Sequence, residues 1–99
     1  METYEFNNLT FEPGKIKEAC VSCGNPYTII HHIFPGRGRR NKSDDYGLMV
    51  SLCARCHNEV HTHPNNGLDL QLKQAAQREF EKHYGGRDKF IKVFGMSYL

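Results

Sequence analysis

Two Cys-x-x-Cys pairs, Cys20-Val-Ser-Cys23 and Cys53-Ala-Arg-Cys56, carry the clearest chemistry in the chain. Two intervening residues let both thiolates of a pair reach one tetrahedral ion from a single turn, and two such turns close a four-cysteine site around zinc. Gly24 suits the tight backbone after the first pair. A site closed by four thiolates has no open position for a reaction, so these cysteines read as a structural staple. The histidines offer the reactive chemistry. His31-His32 directly follow the apolar run Tyr27–Ile30, and His57-Asn-Glu-Val-His61 directly follows the second Cys pair. On a helix from Cys56 to about Thr62, His57 and His61 project from one face, the spacing of a metal-binding pair. Adjacent residues on a strand point to opposite faces, so His31 and His32 cannot do the same job from one side unless the strand twists or ends there. His63, just before Pro64, and His83 read as surface residues.

The chain that must position these groups is small: 99 residues, 38% apolar, without Trp, and with a mean hydropathy of −0.65. So modest a core calls for a staple, which a thiolate-bound metal supplies. Thirteen basic against 11 acidic residues give a net charge of +2, which excludes a polycationic tail but not a local basic patch. Such a patch exists in Gly36-Arg37-Gly38-Arg39-Arg40-Asn41-Lys42, read as a flexible loop. Its cations Arg37, Arg39, Arg40 and Lys42 can neutralise nucleic-acid phosphates. No apolar run approaches the ~18 residues of a membrane span. The acidic start, Met-Glu-Thr-Tyr-Glu-Phe, lacks the features of an export signal. A cytoplasmic location follows as the expectation, and with it reduced cysteines that bind metal rather than pair as disulfides.

The elements are those of a single α+β domain over residues 1–99. Two β-prone runs, Tyr27–Ile30 and Leu48–Leu52, are separated by a segment too long for a tight hairpin and too polar for a strand. Leu68, Leu72, Ala75, Ala76, Phe80 and Tyr84 recur at helical steps and predict a helix over 67–84, stopped by Gly85-Gly86. A shorter helix runs from Arg87 to about Phe94, and residues 1–19 read as extended or loop.

Cys53-Ala-Arg-Cys56-His57 also fits a c-type haem attachment, with Met49 or Met96 as second axial ligand. That reading needs an exported chain and leaves the first Cys pair unexplained. A redox role would need a βαβ context, which neither Cys pair has.

Taken together, Cys20-x-x-Cys23, His31-His32-Ile33 and Leu52-Cys53-x-x-Cys56-His57-x-x-x-His61 resemble the HNH endonucleases of the His-Me finger, or ββα-metal, superfamily. The resemblance covers residues 20–63 and implies a ββα-metal core stapled by the four-cysteine zinc site, with helices beyond it. It implies His32 as general base and His31, His57 and His61 as ligands of a catalytic divalent metal. Imidazole ligands favour Mn2+, Ni2+, Co2+ or Zn2+ over Mg2+. The implied activity is hydrolysis of DNA phosphodiester bonds, with RNA left open as a partner. The C-terminal stretch, from Phe80-Glu-Lys-His-Tyr-Gly to Phe94-Gly-x-x-Tyr98-Leu99, resembles the tails of small phage-encoded, recombination-associated nucleases. At Leu48 the chain departs from the family, which usually places there an Asn that holds the catalytic loop or touches the metal. That departure supports the competing reading, a zinc-stabilised nucleic-acid-binding module without catalysis.

Overall fold

A computed structural model describes residues 14, 16, 18–34 and 39–99, without the side chains of residues 39–41 and 44. Most of the N-terminal stretch read as extended or loop, and Arg37, lie outside the described residues. The elements run β1 (Thr28–His32), α1 (Arg39–Tyr46), β2 (Met49–Cys53), α2 (Ala54–Thr62), α3 (Gly67–His83) and α4 (Arg87–Phe94), an α+β fold. Among the described residues no helix is long and apolar enough to cross a membrane.

β1 and β2 pair antiparallel, with Thr28 opposite Cys53, His31 opposite Val50 and His32 opposite Met49. This register puts the start of β1 beside the second Cys pair and the end of β1 about 13 Å away along the ladder. β2 is buried along nearly its whole length and does not alternate, because both its faces are covered. On its free side Val21 N–H donates to Ser51 O at 3.0 Å, which ties the first Cys pair to the sheet.

The segment expected to be a flexible loop is instead helical from Arg39 to Tyr46. Its cations stand at the N-terminal end and no basic residue occupies its last turn, so its charges oppose the helix dipole. What makes it a helix is its end. Gly47 adopts the left-handed conformation (φ 71°), and Leu48 N–H donates to Ser43 O at 2.8 Å, the bond pattern of a glycine-terminated helix. Ser43 is fully buried, and Tyr46 packs against Phe80 and Tyr84 with ring centroids 5.0 Å apart in each case.

α3 and α4 cover the hairpin with an aromatic cluster. Phe34, just past β1, stacks on Phe94 at 4.5 Å, and Phe80 meets Phe90 at 5.3 Å and Phe94 at 5.9 Å. Leu68, Leu72, Ala76 and Phe80 line the buried side of α3, while α2 buries Cys56 and Val60. The core joining the hairpin to α3 and α4 is continuous. Truncating Phe80→Ala should therefore cost about 3–5 kcal/mol. Urea unfolding followed at the strands and at the helices should shift together as one transition. A helical signal that melts apart from the hairpin would show two separate cores.

Candidate functional site

The sulfur atoms of Cys20, Cys23, Cys53 and Cys56 lie within 4.8 Å of one another, so the register that opens β1 and closes β2 gathers both pairs at one end of the sheet. Cys23 Sγ is 3.6 Å from Cys53 Sγ. Each pair has the backbone of a metal-binding turn. In the first, Gly24 N–H donates to Cys20 O at 2.9 Å, with Gly24 left-handed at φ 81°. In the second, Cys53 caps α2, and its sulfur accepts from Cys56 N–H at 3.5 Å.

The amide of Asn25 holds the Cys23 thiol below its ordinary value, and the amide of Cys56 does the same for Cys53. Burial pushes the Cys56 thiol up to about 12, and its thiol neighbours add to the rise. A thiol so costly to ionise alone becomes a thiolate when a cation sits among the four sulfurs. The donor set fits a structural metal. The four sulfurs gather on one point, an arrangement that favours a four-thiolate metal over haem attachment at Cys53 and Cys56.

The second cluster lies at the other end of the hairpin. One nitrogen each from His31, His57 and His61 converge within 4.8 Å. The rings of His57 and His61, one helical turn apart on α2, approach with their Nε2 atoms 3.1 Å apart. His31 meets them edge-on, at 5.3 Å and 5.9 Å between ring centroids.

His31 is buried, and its Nε2 has no hydrogen-bond partner. An orphaned polar atom in the interior costs about 1–3 kcal/mol, which a bound cation relieves. Burial lowers the His31 pKa to about 4, with the His57 charge adding to it and Asp69 opposing it. Burial, then His61, also lowers His57. Neutral imidazoles present lone pairs to a metal without first losing a proton, so this set too fits a divalent ion.

β1 ends at His32, which is half-buried and, by strand alternation, points away from His31. Arg39 and Arg40 open α1, and exposed Lys42 donates from Nζ to Val93 O at 2.9 Å, tying α1 to the end of α4. His63 is exposed and serves as the C-cap of α2. His83 pairs with Glu79 one turn away on α3.

Three contributors went unread in the sequence. Arg55, inside the second Cys pair, reaches the Cys23 sulfur and places positive charge beside the thiols. Asp69 is buried with Lys73 at 2.9 Å and accepts from Asn65 N–H at 2.6 Å, which sets a fixed negative charge near His31. Its only sequence signal was an i,i+4 acid–base pair on the apolar side of α3. The third, Ser43, had no signal of its own. A cleft of about 260 Å3, lined by Ser22, Arg55, Glu59 and Leu68 among others, opens beside the thiols and does not include the histidines.

With both clusters in view, the match to known proteins has a structural meaning. Residues 20–63 match the family model for HNH endonuclease. No curated protein and no solved structure matches the chain.

A structural metal bound by thiolates contributes about 10–16 kcal/mol in small domains, comparable to the whole stability of a domain of this size. Chelation, or Cys20→Ser, should therefore unfold the chain, read as loss of helical circular dichroism. A Cys20→Ser protein that melts like wild type would mean that the thiols hold nothing.

Proposed function

We propose that this chain is a metal-dependent endonuclease that hydrolyses DNA phosphodiester bonds, with zinc in its four-cysteine cluster. The observation that carries this reading is the convergence of three imidazoles on one point, with a buried His31 nitrogen that no protein group satisfies. The HNH match over residues 20–63 supports it. The likeness of the C-terminal stretch to the tails of phage-encoded nucleases favours a role in DNA processing or recombination, in the cytoplasm where the thiols stay reduced.

In this reading His31, His57 and His61 hold the divalent ion. Their nitrogen donors favour Mn2+, Ni2+, Co2+ or Zn2+ over Mg2+. A divalent ion there supplies positive charge against the negative charge that builds on the phosphoryl and leaving oxygens. His32 takes the proton of the attacking water, work for which an imidazole is suited near neutral pH. His31 is ill-suited to that work, since burial disfavours its protonated form and lowers its pKa to about 4, which leaves it a weak base.

Arg37, Arg39, Arg40 and Lys42 grip backbone phosphates. Lys42 keeps two further N–H donors beyond the one used on Val93 O. The second reading, a binding module without catalysis, draws on Leu48 in place of the family Asn.

Two measurements test this. Replacing Arg39 and Arg40 with Ala should weaken DNA binding across sequences and flatten its salt dependence, each lost phosphate contact lowering the slope of log K against log salt by about 0.9. An unchanged slope would make the start of α1 a solvated helix end.

The decisive assay incubates plasmid DNA, and separately RNA, with wild type, His32→Ala and His57→Ala over a range of each divalent metal. His32→Ala should lose about 10²–10⁴-fold in rate at every metal concentration. His57→Ala should recover part of its loss at high metal. Recovery of His32→Ala by excess metal would mean that base and ligand are exchanged. A wild-type chain inactive with every metal on both polymers would favour the binding module.

A further inference from the structure

Ser43 is fully buried on a helix whose other residues are almost all polar. Its hydroxyl accepts from Phe34 N–H at 3.1 Å and donates to Phe34 O at 3.2 Å. Those two backbone groups face away from β2, because alternate residues of β1 turn to the partner strand and Ile33 is the one that does so here. The strand pair therefore cannot satisfy them. Ile33 N–H takes Leu48 O at 3.1 Å, and one residue earlier the chain turns away through left-handed Gly47. The Ser43 side chain satisfies both on the edge of β1 that β2 does not cover.

Ser43 is held in turn, since its own carbonyl accepts from Leu48 N–H and closes α1 onto β2. The Phe34 ring is clamped on its other side by Phe90, Phe94 and Tyr98. Two residues after His32 the backbone is thus fixed from both directions. Leu48 is buried and apolar, so its side chain cannot brace this loop by hydrogen bonds.

We propose that Ser43 is a positioning residue of this site, bracing the exit of β1 so that the His32 ring is held toward the substrate; this rests on the nuclease reading above. Fixed orientation of a proton acceptor is worth orders of magnitude in rate, and small misplacements far from the chemistry erode it. Ser43 touches neither metal ligand nor phosphate, so its loss should leave binding alone and slow turnover.

The test uses the full chain loaded with zinc, as wild type and as Ser43→Ala, Ser43→Thr and Ser43→Cys. Cys preserves volume with a much weaker hydrogen-bonding group, and it serves if Ser43→Ala does not fold. NMR reads the Phe34 amide exchange rate and the His32 ring signals, with those of His63 as an internal control. Plasmid cleavage with Mn2+ reads kcat, KM and the metal concentration for half-maximal rate.

Ser43→Ala should speed Phe34 exchange about tenfold or more, shift or broaden the His32 ring signals but not those of His63, and lower kcat about tenfold. KM and metal requirement should stay near wild type, and Ser43→Thr, which keeps the hydroxyl, should recover most of the loss. Unchanged His32 signals and kcat in a folded Ser43→Ala or Ser43→Cys chain would overturn the proposal. So would a Ser43→Thr chain as slow as Ser43→Ala, because the loss would then come from packing. If the wild type cleaves nothing, the nuclease reading falls, and the NMR measurements alone decide whether Ser43 holds His32.

Discussion

Cys56 and His57 are neighbours in the chain, yet about 100° of helical rotation sends them into different clusters. Helix α2 is thereby obliged to serve both. Its first turn is capped by Cys53 and closed by the thiols, and its next positions carry the two imidazoles that meet His31. The geometry of the strand pair makes this possible. From Thr28 to His31 the ladder advances about 10 Å, and from Cys56 to His61 the helix rises about 7 Å. A short helix leaving the end of β2 and running back along the sheet therefore reaches both ends of β1. Any ion that orders the thiols also sets the angle at which His57 and His61 approach His31.

The HNH segment ends at residue 63, but the core that supports it does not. Phe80, Phe90 and Phe94 are all but inaccessible to solvent, and they receive Phe34 from the strand that bears His31 and His32. Lys42 ties α1 to the last turn of α4, where a cation also suits the helix dipole. Asp69 and Lys73 place a buried ion pair behind the His cluster. Such a pair adds little net stability, but it fixes a charge and the Asn65 turn (φ 59°) in one arrangement. The C-terminal helices thus act on the site from behind, through packing and one buried carboxylate.

Much of this architecture is readable from the residues because local and tertiary signals agree. The apolar steps of Leu68, Leu72, Ala76 and Phe80 coincide with the buried face of α3, and Gly85-Gly86 stops it where the helix does stop. The strands are displaced slightly from their apolar runs. β1 extends through His31 and His32 because partners on β2 are available to them, and exposed Ile29 and Ile30 show that apolarity alone did not set its limits. α1 is the element that pattern reading misses. It has no apolar period and an unfavourable charge order, and it is fixed by the left-handed Gly47 and by Ser43 reaching Phe34 nine residues back. The histidine spacing predicts which residues share a helix face. It carries no information on how deeply β1 sinks His31, or on which carboxylate from α3 faces it.

Under the proposed nuclease function, that depth divides the labour within the site. The burial that leaves His31 Nε2 without a partner also drives its pKa to about 4. Such an imidazole is neutral at any pH near 7 and gives its lone pair freely, but it is too weak a base to take a proton from water. Depth in the core therefore suits one histidine to binding and disqualifies it for proton transfer. The next residue, His32, at the end of the strand, is only half-buried, which suits the proton-accepting role proposed for it. A single step along β1 separates the two environments, because the pleat turns consecutive side chains to opposite faces. An adjacent His-His pair at the end of a half-covered strand is thus a compact way to set two imidazoles in different surroundings, provided the backbone just beyond it cannot move.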